Sequence, residues 1–381
     1  MKTTNRRLLA TLTALGGVNL AAAVVLVETQ PSRAGDLMTV YGWCAEWLRH
    51  GVDLYSQPQS TTDYPPQAIV MLSPLALIPE RWIAPIWTIA SIALAPLAAL
   101  AVDRSSGNRS RDRTLLTIAA FLCWASARTL LQFSVLSMTL AFAAVVLADR
   151  RPLSSGIVLG LALAKPHIAG PVALWAVFSG RWKTTAAALV TVTAGLLIYC
   201  ARAHVAPPRA AAGLWHVLAE TYGGPHGLSG VTSIRGWTTS DATWIAVSAV
   251  LLVVPIAMAI RSRRAQGLER LAALACGCLW ALLAFYHNGN NLILMLPAFV
   301  LLVAESGPWA VVVQAALMVD LPFRVAPLLP PVAVLRAFAF NAHRVLVLVV
   351  FALVTALWWR GFQSADRMSV SSEGPPARTS A

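Results

Sequence analysis

Residues 35–66 read GDLMTVYGWCAEWLRHGVDLYSQPQSTTDYPP, a polar and aromatic interlude between two strongly apolar segments. The stretch holds Asp36, Asp53 and Asp63 in a chain with only 16 acidic residues. After Asp36, the residues Leu37, Val40, Tyr41, Cys44, Trp47 and Leu48 recur at intervals of three and four. That spacing puts them on one face of a helix, and Gly51 is placed to end it. Trp43 and Trp47 suit the depth of lipid headgroups, so the pattern predicts a helix lying along a membrane surface with Asp36 at the water–lipid boundary. Pro65 and Pro66 predict a rigid start to the next helix.

The flanks supply the membrane. Of 381 residues, 57% are hydrophobic and 12% charged, whereas soluble globular domains average about 25% charged. Such a chain cannot coat a soluble globule. The formal charge of +13 comes from 29 Lys and Arg spread in small groups between apolar runs. They read as topology signals and not as a nucleic-acid face. The five cysteines are mostly inside or beside apolar runs and read as small hydrophobes. Cys276 and Cys278 lack the second pair of a zinc site. No Asp-x-Asp motif occurs, and neither a metal nor a cofactor is expected.

Lys2, Arg6 and Arg7 precede residues 8–27, long enough to span, which predicts an uncleaved first span with a cytoplasmic N-terminus. Residues 65–79 are too short to cross and are placed at the outer face; residues 82–102 cross. Alternating the later apolar runs puts the larger share of Lys and Arg inside, in short loops. Residues 201–241 become a long outer loop, and residues 309–321 and 345–359 further spans. The expected class is an all-α polytopic membrane protein, one integral domain over residues 1–360, with a disordered cytoplasmic tail at 361–381. No internal repeat of the transporter kind is present.

On the outer side this topology gathers Asp36, Asp53, Tyr55, Asp63, Tyr64, Arg128, Gln132, Lys165, His167, Arg235 and His287. Lys165 interrupts the apolar run GLALAKPHIAGP. An ionisable group at membrane depth costs several kcal/mol without a partner or a function, so it either snorkels to the interface or holds an anion such as phosphate. Asp36 is placed for N-capping and equally for general-base work. Asp53 fits a turn. His287 directly follows a span, as an interface histidine or a site residue. The glycine-rich residues 222–237, with Arg235, read as a flexible loop that could cover an acceptor.

Gly35-Asp36, Gly51-Val52-Asp53-Leu54-Tyr55, Tyr64-Pro65-Pro66 with Pro74-Leu75-Ala76, and Lys165-Pro166 followed by Arg181-Trp182 together resemble the polyprenyl-phosphate-sugar-dependent glycosyltransferases of the GT-C type. The nearest branch is glycosyltransferase family 87 (DUF2029). Two positions depart from that pattern: Leu131-Gln132-Phe133-Ser134 stands where relatives carry Gly-Gln-x-Asn, and His167 where glutamine is common. The resemblance implies a GT-C-like bundle of about 12 transmembrane helices with extracytoplasmic juxtamembrane helices, in a bacterial cell membrane. It further implies inverting transfer of a sugar, mannose in α linkage, from a polyprenyl-phosphate donor to a lipid or cell-envelope glycan. Asp36 would be the catalytic base, Lys165, Arg128 and His287 the phosphate ligands, and Asp53, Tyr55, Tyr64, Gln132 and Arg235 the substrate-loop residues. An arabinofuranosyl donor, or transport of a lipid-linked sugar, are the competing functions.

Overall fold

Among the described residues every regular element is a helix, as hydrocarbon demands of a chain that must satisfy its backbone polar groups internally. The computed structural model describes residues 3–29, 36–57, 62–106, 111–124, 130–222, 233–238, 240–263, 267–285, 289–305, 342 and 344–361. In chain order the helices are α1 (Thr3–Thr29), α2 (Leu37–His50), α3 (Pro66–Leu72), α4 (Glu80–Ser105), α5 (Arg111–Trp124), α6 (Ser134–Leu147) and α7 (Pro152–Ala162). There follow α8 (Pro166–Phe178), α9 (Trp182–Ala203), α10 (Pro207–Tyr222), α11 (Asp241–Arg261), α12 (Leu268–Ala284), α13 (Leu296–Glu305) and α14 (Arg344–Gly361). The chain is an all-α polytopic membrane protein.

Among the described residues five helices, α1, α4, α9, α11 and α14, are long and apolar enough to cross a membrane. The helices between them are shorter. α6, α7, α8 and α13 have 14, 11, 13 and 10 residues, so they extend roughly 15–21 Å at 1.5 Å per residue, short of the ~30 Å hydrocarbon core. α6 and α13 are largely buried, whereas α7 exposes Leu153 and Ile157. α12 marks the centre: every residue from Arg270 to Ala284 is buried, as expected of a helix apolar all round.

Residues 65–79 form α3 and the 3₁₀ turn Ser73–Leu77, packed on α2; they do not make a span. Residues 201–241 are not simply a loop. They contain the 16-residue amphipathic α10, whose start at Pro207-Pro208 suits a helix N-terminus, and the 3₁₀ turn Ile234–Trp237. Residues 223–232, 309–321 and 362–381, with Arg128 and His287, lie outside the described residues.

α7 and α9 run parallel at close range because two glycines let them. A Cβ on Gly156 would come within 2.4 Å of both the Ala187 Cβ and the Thr184 carbonyl, and one on Gly160 within 2.5 Å of the Thr191 Cβ. Small residues in a small-xxx-small pattern allow such backbone approach. Gly156→Leu is therefore expected to lower the melting temperature in detergent, by an overpacking cost of about 1–3 kcal/mol or more. An unchanged melting temperature would sink this account of the crossing. The same register, Gly160 beside Thr191, puts Lys165 near Gly195, where Gln67 Nε2 reaches the Leu163 carbonyl at 3.3 Å and a Cβ on Gly195 would strike Gln67. Gly195 stands eight residues, roughly 12 Å, before the Ala203 end of α9, and Lys165, two residues after Leu163, is buried.

At the opposite end a three-way clasp closes the helices. Asp149 accepts from Arg181 Nη2 at 2.8 Å and from Arg270 Nη2 at 2.7 Å, tying the α6–α7 turn to the starts of α9 and α12. Arg181 also stacks on Trp175 at 4.3 Å. Burial pushes the Asp149 carboxyl up, but Arg270 and then Arg181 outweigh it and hold the group below its ordinary value.

Candidate active site

α2 is built as its periodicity predicts, with Leu37, Val40, Tyr41, Cys44 and Trp47 on the buried face. Gly51 ends it in the left-handed conformation, φ 66°, and donates to the Trp47 carbonyl at 2.9 Å. A side chain at Gly51 would collide with the Arg202 carbonyl, 2.8 Å from an added Cβ. Arg202 in turn donates to the Leu48 and Arg49 carbonyls at 2.8 and 3.1 Å, so the outer end of α9 seals the end of α2.

Trp47 is not a headgroup anchor. It is buried, stacks on Tyr199 with centroids 5.8 Å apart and 8° between planes, and its indole donates to the Tyr199 carbonyl. The Tyr199 hydroxyl accepts from the Leu54 amide at 2.8 Å and donates to Asp53 Oδ1 at 3.2 Å. Asp53 also accepts from the Tyr55 amide and the Ser56 hydroxyl. The Tyr55 phenol donates to the Tyr64 carbonyl at 2.6 Å; burial, with Tyr199 and Asp53 adding to it, pushes that phenol well above its ordinary value and keeps it a donor. Asp53 and Tyr55 therefore form the frame of the loop, off the cavity wall. Through the Tyr55 phenol they hold Tyr64 in place.

Asp36 occupies the N-cap position of α2 but makes no side-chain capping bond; its backbone is helical, φ −71° and ψ −15°. The carboxylate instead faces Lys165, with Oδ2 3.8 Å from Nζ. Lys165 stands at the break between α7 and α8. The Ser137 hydroxyl, which donates to the Ala162 carbonyl at 2.7 Å, and Pro166, first residue of α8, fix that break. The lysine does not snorkel: it is 5% exposed, donates to Gln132 Oε1 and lies 5.6 Å from the centroid of the Tyr64 ring. Phe133 meets the edge of that ring at 5.9 Å.

These groups form the polar end of a cavity of about 730 Å³. Asp36, Asp63, Tyr64, Gln132, Lys165, His167 and Asn291 line that end; Pro171, Leu174, Leu214, Trp215, Leu218, Trp244, Leu252, Trp280 and Phe285 line the rest. A second, far smaller cavity of about 10 Å³ lies between α8, α11 and α12 and shares Pro171, Leu174, Leu252 and Trp280 with the first. One wall of the larger cavity is the apolar face of α10, a helix within what the sequence predicts as a long outer loop. Asn291, also unanticipated, accepts from the Ser134 hydroxyl at 3.3 Å. The run Asn288-Gly289-Asn290-Asn291 at a span end was its available signal. Arg235 stands behind the wall: it pairs with Asp241 at 2.7 Å and packs over Trp244 at 5.3 Å. Among the described residues no three His, Cys, Asp or Glu side chains gather as a metal site would require.

The sequence model of glycosyltransferase family 87 matches residues 62–285, more than half of the chain. The chain belongs to glycosyltransferase family 87. The matched region of this family 87 protein contains Asp63, Tyr64, Gln132, Lys165, His167 and both apolar walls of the cavity; Asp36 precedes it and Asn291 follows it. No curated protein and no solved structure gives a significant match. As a family 87 glycosyltransferase, the protein passes a sugar from a donor to an acceptor.

Proposed function

We propose that the donor is a polyprenyl-phosphate sugar, mannose in the first instance, and that the cavity transfers the sugar with inversion to a lipid or cell-envelope glycan on the extracytoplasmic face. One observation carries this reading: a buried ammonium group, held between an amide and a carboxylate, stands on the lining of a cavity whose other side chains are mostly apolar. That pairing suits an anionic headgroup joined to a long hydrocarbon tail.

The chemistry follows from the same atoms. Lys165 holds the phosphate, and Gln132, its oxygen engaged by the lysine, offers its amide N–H groups. Asp36 takes the proton from the acceptor hydroxyl as that oxygen attacks the sugar carbon opposite the phosphate. The carbon–phosphate oxygen bond breaks with its electron pair leaving on the phosphate, where Lys165 stabilises the charge. One displacement inverts the carbon, so a β-linked donor gives an α-linked product. A monophosphate leaving group needs no divalent metal in this scheme. Sidedness is supported by the basic residues Arg104, Arg113, Arg150, Arg151, Arg181, Lys183, Arg261 and Arg270 at helix ends away from Asp36, the distribution of a cytoplasmic face.

The test is transfer from radiolabelled polyprenyl phosphate mannose to a membrane lipid extract by purified protein in lipid nanodiscs. A labelled product is expected. Product with the arabinofuranosyl donor alone would change the sugar. Movement of the lipid-linked sugar across a bilayer with no glycosidic product would replace transfer by transport.

A further inference from the structure

The displacement described above uses one carboxylate, yet the polar end of the cavity carries two. Asp36 and Asp63 both line it, arriving from different elements, the start of α2 and the segment ahead of α3. Asp63 is half-buried between Thr62, 1% exposed, and Tyr64, 5% exposed. The Tyr64 carbonyl is pinned by the Tyr55 phenol, and Pro65 and Pro66 then fix the backbone. Its position is therefore set by the fold before any ligand arrives. Both carboxylates bear electrostatically on Lys165, Asp36 more strongly than Asp63.

Resting on the sugar-phosphate reading of the cavity, we infer that Asp63 is the residue that recognises the donor's sugar, its carboxylate accepting hydrogen bonds from hydroxyls remote from the reacting carbon. The reacting carbon is one bond from the phosphate oxygen, so the base belongs beside the cation that holds the phosphate, where Asp36 lies at 3.8 Å. The remainder of the ring must extend away from that cation along the wall. Asp63, on the lining of the same cavity but from the segment ahead of α3 and not from the start of α2, meets it there. Ionised carboxylates only accept hydrogen bonds and sugar hydroxyls readily donate them; such charge-assisted bonds are about twice as strong as neutral ones. A site built on them rejects a ligand lacking the hydroxyl far more sharply than an apolar pocket can. Asp63 thus supplies donor selectivity, a role that neither Lys165 nor the apolar walls can fill.

Two lipids separate this role from the others: polyprenyl phosphate mannose and the same polyprenyl phosphate without sugar. Each is titrated against wild type, Asp63→Asn and Asp63→Ala in nanodiscs, following quenching of tryptophan fluorescence, since Trp215, Trp244 and Trp280 line the cavity. Wild type is expected to bind the sugar-bearing lipid more tightly. Both variants should lose that preference by about tenfold or more while binding the bare lipid as wild type does, and should raise the donor KM more than they lower kcat. Variants that keep the preference for the sugar, or that lose affinity for both lipids equally, would overturn the assignment. Wild type that binds neither lipid would instead overturn the polyprenyl-phosphate reading on which it rests.

Discussion

Asp36→Asn is expected to leave a folded protein that binds donor normally and turns over about 10²–10⁴-fold more slowly. The amide is nearly isosteric with the carboxylate and cannot accept the acceptor's proton. Stability should barely move, because the carboxylate makes no capping bond that the change could remove; a working cap would cost about 1 kcal/mol. Lys165 keeps its bond to Gln132, so the phosphate site survives and the loss falls on kcat and not on donor KM. Initial rates at saturating donor, with donor binding measured in parallel, decide it. Turnover within a few-fold of wild type removes the base assignment, and a matching loss in Asp63→Asn would then move the base to the other carboxylate. This experiment matters more here than for the remaining site residues, because Asp36 precedes the region that the family match covers.

Much of the frame around that aspartate was legible in the sequence. The three-four spacing after Asp36 gave the correct buried face of α2, Gly51 its left-handed end, and Pro65-Pro66 the start of α3. Each rests on local stereochemistry, which a sequence states directly. Lys165 stood out because a charge in an apolar run needs a reason, and the structure places it in the cavity. What stayed hidden depends on distant partners. Trp47 has the look of an interfacial tryptophan, but Tyr199, 152 residues away, draws it inward. Asp53 fits a turn in the sequence, and the Tyr55 amide and Ser56 hydroxyl hold its carboxylate there; only its bond to the distant Tyr199 hydroxyl was hidden. α10 has an amphipathic pattern in its own right, set within a segment that also has the length and polarity of a connection between spans.

Replacing the lysine tests the other half of the site, and Lys165→Met is expected to remove transfer almost entirely while leaving the melting temperature unchanged or raised. Methionine keeps a long unbranched chain and loses only the ammonium. A donor phosphate deprived of a charged hydrogen bond should bind about 10–100-fold more weakly. The leaving group, which carries more negative charge in the transition state than in the ground state, should cost a further ~10²–10³ in kcat. The opposite effect on stability follows from burial. Lys165 is 5% exposed, and exchanging a buried charge for a well-packed apolar side chain is often neutral or stabilising. Asp36 tolerates the loss of its partner because its side chain is 48% exposed. Lys165→Arg should recover little, since a guanidinium does not fit a pocket formed around a compact ammonium group between Gln132, Asp36 and Tyr64. A lysine kept for the fold would show the reverse, lower stability in Lys165→Met with transfer preserved in the molecules that remain folded. Thermal denaturation and donor titration on the same preparation therefore distinguish a charge retained for phosphate from one retained for packing.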